Sequence, residues 1–172
     1  MNKIFLVGYM GCGKSTIGRL LAKRLQWSFV DMDAYIENRH HKTINELFAE
    51  RGEEVFRRLE RSALEEISCF DLAVISTGGG APCFFDNIDL MNQSGICIYI
   101  AMTPEALSRR LAANTQNRPL LRNKKEDELQ LFIRTQLAQR QPFYDKAIYK
   151  VNNDEKKPQD TAEEIFNLLN SA

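Results

Sequence analysis

The stretch Gly8-Tyr9-Met10-Gly11-Cys12-Gly13-Lys14-Ser15 satisfies the pattern G-x-x-x-x-G-K-[S/T] at every fixed position. Its flanks fit the geometry the pattern needs. Residues 4–7 (Ile-Phe-Leu-Val) are a short apolar run, read as a buried strand that ends at Gly8. Residues 15–25 carry Ile17, Leu20, Leu21 and Leu25 at helical spacing. Glycines at 8, 11 and 13 let the main chain close around an anion with its amides pointing inward, and the positive end of the helix dipole adds to the attraction. Lys14 then reaches the β- and γ-phosphates of a nucleotide, and the Ser15 hydroxyl is placed to ligate Mg2+.

Working outward, strands and helices alternate. Residues 27–30, 72–76, 96–101 and 148–151 read as further short apolar strands. Helices are expected from the capping box Thr43-Ile44-Asn45-Glu46 through Phe48, over 53–67, from Thr103-Pro104 to about Ala113, over 127–139 and over 161–169. This alternation indicates an α/β fold on a parallel sheet. Residues 114–126 are polar and basic with few core candidates, and read as a mobile excursion. A chain of 172 residues fits one domain, residues 1–172. With 23 Lys+Arg against 23 Asp+Glu there is no basic excess, so a dedicated nucleic-acid partner is not expected. The four cysteines form no C-x-x-C pair, and the run at 4–7 is too short for a signal core or membrane span. Reduced thiols, no membrane partner and a cytoplasmic location are the expectation.

A phosphate loop specifies a nucleotide and leaves the reaction open. The guanine signature N-K-x-D fails at its fourth position in Asn123-Lys124-Lys125-Glu126, and no hydrophobic strand ends in the Asp-Glu of a motor. A small kinase fits the length best. Other residues bear on the acceptor. Asp31 and Asp33 close the second strand, and in extended backbone they share one face. Ligands of open α/β sheets bind at the carboxyl ends of strands. One carboxylate could therefore hold the Mg2+ water shell and the other receive a proton from a hydroxyl. A competing reading makes Asp33 the cap of a helix starting at Ala34. Gly78-Gly79-Gly80 after the third strand suggests a ligand pressed against main chain, and a flexible turn is the alternative. Arg57 and Arg58 oppose the apolar stripe of their helix, where a solvated face is the ordinary outcome. Arg118 sits in the excursion, where an arginine can meet transferring phosphates.

Taken together, six motifs in order resemble those of shikimate kinases, small P-loop kinases of the nucleoside monophosphate kinase-like group. They are G-x-x-G-x-G-K-S-T at 8–16, D-x-D at 31–33, F-R-x-x-E at 56–60, G-G-G at 78–80, R-P-L-L at 118–121 and R-x-P-x-Y at 140–144. The resemblance implies a three-layer P-loop kinase fold: about five parallel strands flanked by helices, a mobile lid at about 112–126, and a substrate-binding helical region at about 33–61. It implies a monomer that uses ATP and Mg2+ to phosphorylate the 3-hydroxyl of shikimate, a step of aromatic amino acid biosynthesis. By the same resemblance Gly11, Cys12, Gly13, Lys14, Ser15, Thr16, Arg110 and Arg118 contact ATP. Asp33, Arg57, Gly79, Gly80 and Arg140 contact shikimate, and Ser15 with Asp31 hold the metal. Asp33, Lys14 and Arg118 act in catalysis, and Arg110 stacks on adenine. The chemistry agrees: guanidinium forks suit a carboxylate, and a carboxylate suits vicinal hydroxyls as a pure acceptor. The segment ahead of Arg118 is one residue longer than the family pattern, Thr77 stands where an apolar residue or glycine is more usual, and Asn152-Asn153-Asp154 lack an adenine-side arginine. Gluconate and nucleoside monophosphate kinases share the loop, but the triple glycine and D-x-D favour shikimate. A non-catalytic nucleotide sensor would be expected to have lost one of Lys14, Ser15, Asp31, Asp33 or Arg118.

Overall fold

A computed structural model describes residues 2–113 and 126–171 of the chain. In chain order these form β1 (Lys3–Val7), α1 (Lys14–Leu25), β2 (Ser28–Asp31), α2 (Met32–His40), α3 (Ile44–Ile67) and β3 (Ala73–Ser76). A 3-10 turn at Ala81–Cys83 follows, then α4 (Asn87–Ser94), β4 (Ile96–Ala101), α5 (Pro104–Ala113), α6 (Glu126–Tyr144), β5 (Tyr149–Asn152) and α7 (Pro158–Asn170). The strands pair in the order β2-β3-β1-β4-β5, all parallel. Phe5, for example, lies between Ile75 and Cys97. Side chains on both faces of β1, β3 and β4 are buried, as a sheet covered on both sides demands.

The connection from β1 to β2 runs toward one edge of the sheet, and every later one runs toward the other. Right-handed crossovers therefore place α1 on one face and the intervening helices on the opposite face. α7 returns to pack on α1, while α5 packs on α6 and α2 on α3. The reversal of strand order falls at β1, between β3 and β4, which puts the crevice at the carboxyl end of β1.

The helix starts differ from one another in a way that bears on function. α3 opens on the expected capping box: Thr43 accepts from the Glu46 amide at 3.2 Å, and the Thr43 amide donates to Glu46 at 2.7 Å. α1 opens on Gly13 in left-handed conformation (φ 98°), with no side-chain cap and no acidic residue in its first turn. Its first amides are left to other acceptors. The expected strands and helices are present in order, α4 and the 3-10 turn are additional to them, and the expected helices differ in three places. The helices expected at 43–48 and 53–67 are one element kinked at Gly52 (φ 76°). α6 runs on past Pro142 to Tyr144. α7 begins at Pro158, so Thr161 lies inside it rather than capping it. Of the expected lid, residues 112, 113 and 126 are helical, and 114–125 lie outside the described residues. Among the described residues no helix is long and apolar enough to cross a membrane.

Candidate active site

A cleft of about 320 Å³ opens at the carboxyl ends of β1, β2 and β3. Met10, Gly11, Gly13, Lys14, Ser15 and Thr16 line one side, and Asp31, Asp33, Ser76, Thr77 and Gly79 the other. The loop from Gly8 to Ser15 joins β1 to α1, so the uncapped helix start faces this space. The Lys14 ammonium is buried and folds back on its own loop, donating to the Gly8 carbonyl at 2.8 Å and the Tyr9 carbonyl at 3.0 Å. Ser15 Oγ donates to Asp31 Oδ2 at 2.8 Å and lies 3.2 Å from Ser76 Oγ. Asp31 Oδ1 accepts from the Ala34 amide at 3.3 Å, so Asp31 caps α2. The cap that sequence offered to Asp33 thus belongs to Asp31, and Asp33 stands free of it in the first turn.

Asp33 is open to water on the cleft side, with protein packed around the rest of it. That packing pushes its carboxyl above the usual value, Asp31 pushes it further, and Lys14 opposes the shift. The triple glycine explains itself through its neighbours. A Cβ on Gly78 would lie 2.9 Å from Asp33 Oδ1 and 3.0 Å from Glu60 Oε1, and one on Gly80 would lie 2.8 Å from both terminal nitrogens of Arg57. A Cβ on Gly79 would come within 3.4 Å of Arg140 Nη1. Bare backbone leaves room for these charged groups to approach the turn without shifting.

Arg57 is not a solvated residue. Its guanidinium is mostly buried, stacks over Phe84 (4.1 Å), Phe56 (5.3 Å) and Phe48 (5.5 Å), and pairs with Glu60 at 2.9 Å and Glu53 at 3.1 Å. Glu60 is fully buried, which drives its carboxyl above the ordinary range while Arg57 pulls it back. Arg58, its neighbour, is exposed and pairs with Glu54 at 2.7 Å, as the solvated-face reading expects. Arg140 lies 5.3 Å from the Tyr9 ring, and Tyr144 donates to the Gly79 carbonyl at 2.6 Å. The end of α6 is thereby tied to both the phosphate loop and the glycine turn. Thr77 meets its polar need internally by donating to the Leu6 carbonyl at 3.0 Å.

Arg110 bridges the loop and the segment after β5, donating to the Cys12 carbonyl at 3.4 Å and the Asn153 carbonyl at 3.1 Å. Cys12 is buried, and Thr16 is exposed at the cleft rim. Arg118 lies outside the described residues. Sequence reasoning gave no role to Glu60, Ser76, Tyr144 or Asn153. Glu60 was findable, since i,i+3 spacing on a helix puts it against Arg57. The other three are joined to the site only through tertiary contacts.

The donors around Ser15 are a hydroxyl and a carboxylate. This set suits Mg2+, which takes oxygen ligands, keeps several waters, and binds one or two carboxylates together with phosphates. Among the described residues no cluster of three His, Cys, Asp or Glu side chains offers a self-sufficient metal cage.

The family description "Shikimate kinase" matches residues 10–170 of the chain. A shikimate kinase of Parabacteroides distasonis is 46% identical over 98% of both chains. The crystal structure of shikimate kinase from Bacteroides thetaiotaomicron superposes with a TM-score of 0.94 at 47% identity, covering 98% of each chain. Shikimate kinase from Acinetobacter baumannii in complex with shikimate gives a TM-score of 0.90 at 34% identity, covering 99% of this chain and 94% of that one. With the loop, the paired aspartates and Gly79 lining one cleft, and the two arginines beside its glycine turn, the chain belongs to the shikimate kinase family.

Proposed function

We propose that this cleft transfers the γ-phosphoryl group of ATP to the 3-hydroxyl of shikimate. The loop at 8–16, with Gly11, Gly13 and the first amides of α1, cradles the phosphates. Lys14 leaves the Gly8 and Tyr9 carbonyls and neutralises charge on the group in transfer. Ser15 and Asp31 hold Mg2+, which when bound draws charge from the β- and γ-phosphates. Arg110 lies beside the adenine, and Arg118 of the lid segment reaches the phosphates. Asp33 accepts the proton of the attacking hydroxyl. Its raised pKa makes it a better base than an ordinary surface carboxylate. Arg57 and Arg140 bind the shikimate carboxylate across the backbone of Gly79 and Gly80. We further propose a single domain over 1–172, with 33–61 as the substrate-binding region and 112–126 as the lid. It acts as a cytoplasmic monomer.

The observation that carries this reading is the convergence of Arg57, Arg140 and Asp33 on the Gly78–Gly80 backbone beside the phosphate loop. A small anion bearing hydroxyls, laid on that backbone, meets two guanidinium groups and one acceptor at once. The test is kcat/KM for shikimate and for its neutral carboxamide, in the parent chain and in Arg57→Leu and Arg140→Leu. Each arginine should contribute roughly 1.5–3 kcal/mol of charge-assisted contact to the acid alone. Both variants should therefore lose most of the acid-over-amide preference. An undiminished preference in both would place the substrate anion elsewhere.

A further inference from the structure

We propose that Asn153 is a positioning residue for the nucleotide phosphates: locked by Thr161, its side chain holds the Cys12 carbonyl and thereby aims the Gly13 amide into the cleft. The inference rests on the proposed assignment of the loop to ATP phosphates. Asn153 directly follows β5 and is fully buried, and all its polar groups are engaged. Its amide N–H donates to the Ala101 carbonyl at 2.9 Å, and its carbonyl accepts from Arg110 Nη2 at 3.1 Å. Its side-chain Nδ2 donates to the Cys12 carbonyl at 2.8 Å, and its Oδ1 accepts from the Thr161 hydroxyl at 2.6 Å. The orientation of the side-chain amide is decided by chemistry. The Cys12 carbonyl can only accept, so it must face the NH2 group, and the reversed amide would set two carbonyl oxygens against each other.

The consequence follows from peptide geometry. A trans peptide is planar, with its C=O and N–H pointing in opposite directions. Asn153, assisted by Arg110 Nη1 at 3.4 Å, draws the Cys12 carbonyl away from the cleft. The amide of the same peptide, Gly13 N–H, is thereby turned toward the cleft that Gly13 lines. The approach is so close that a Cβ on Gly13 would lie 3.3 Å from Asn153 Nδ2. Gly13 also stands at φ 98°, a conformation that needs outside support to be the only one populated. α7, which contacts neither substrate in the proposed reaction, thus sets the phosphate loop through Thr161.

Three variants test this. Asn153→Asp exchanges the donating NH2 for an oxygen that opposes the Cys12 carbonyl and also adds a negative charge, for which the uncharged Thr161 pair is the control. Thr161→Val removes the hydroxyl that locks the amide, and Thr161→Ser retains it. KM is measured for ATP and for shikimate, together with inhibition by inorganic tripolyphosphate, which carries phosphates and no base. Asn153→Asp should raise the KM for ATP and the inhibition constant of tripolyphosphate by one common factor, about tenfold, with the KM for shikimate unchanged. Thr161→Val should shift both in the same direction by less, and Thr161→Ser should restore the parent values. A parent-like KM for ATP, a rise for ATP without one for tripolyphosphate, or equal rises for ATP and shikimate would each overturn the proposal. If Asn153→Asp does not fold, the Thr161 pair decides by the same criteria. Shikimate-dependent ADP release by the parent chain tests the functional reading separately, before any variant is made.

Discussion

Lys14 shows how one residue carries both a structural and a chemical demand. Its ammonium is buried, and the carbonyls of Gly8 and Tyr9 are what make that burial tolerable. A nucleotide phosphate offers a stronger acceptor in the same space. Lys14→Met keeps the length of the side chain and removes the charge, so the fold should survive while kcat falls on the order of 10²–10³-fold. Turnover equal to the parent at saturating ATP would remove Lys14 from the mechanism. At Asp33, function and stability pull in opposite directions. Its pKa in the folded chain is raised above the usual 3.8, so the folded state holds the proton more tightly than the unfolded chain does. Stability associated with this group is therefore full in acid and lost as pH rises through the raised value. Asp33→Asn removes that loss. The variant should melt higher than the parent at neutral pH, the gap should close in acid, and kcat should drop sharply because Asn accepts no proton. In the parent, kcat should fall with acidification through the same raised pKa. A variant that keeps parent kcat would return Asp33 to a purely structural role. Sequence alone could not separate the two roles at Asp33, because Asp is a favoured cap and a helix starting at Ala34 would place it there. The Ala34 amide, by donating to Asp31, separates them.

At the scale of elements, legibility tracked amphipathicity and punctuation. The apolar runs that became β1, β3 and β4 were plain because both faces are buried. α4 and the turn at Ala81–Cys83 were not expected: eight and three residues give too short a window for a helical stripe. α2 buries only Met32 and Ile36, so it too left little periodic trace. The break expected within 43–67 is real in conformation although the element is continuous, since Gly52 stands at φ 76° and ψ 169° between two helical stretches. This kink precedes Glu53 and Arg57, and so it sets the direction from which Arg57 reaches the glycine turn. A Cβ on Gly52 would meet nothing within 4 Å, leaving backbone strain as the whole cost of substitution. Gly52→Ala should lower the unfolding free energy in urea by about 1–3 kcal/mol. Unchanged stability would mean that the kink is not held in solution.

Across the whole molecule, local pattern was enough for the layered architecture and for the loop, because strand–glycine loop–helix is a contiguous unit. It was not enough for the acceptor side of the site. Arg57 on α3 and Arg140 on α6 approach the same glycine turn after β3 from different elements, and Arg57 read alone as a solvated helical cation. Tyr144 completes that side, and Asn153 the nucleotide side, through contacts that no spacing rule reports. In the proposed function these groups together direct phosphoryl transfer from ATP to one hydroxyl of shikimate. The most direct test is to incubate the chain with ATP, Mg2+ and shikimate, and to follow ADP release while identifying the product by phosphorus–proton correlation NMR. ADP should appear in step with a single ester at the 3-hydroxyl, and gluconate in place of shikimate should give little. ADP release independent of shikimate, or phosphate on a different hydroxyl, would contradict the account.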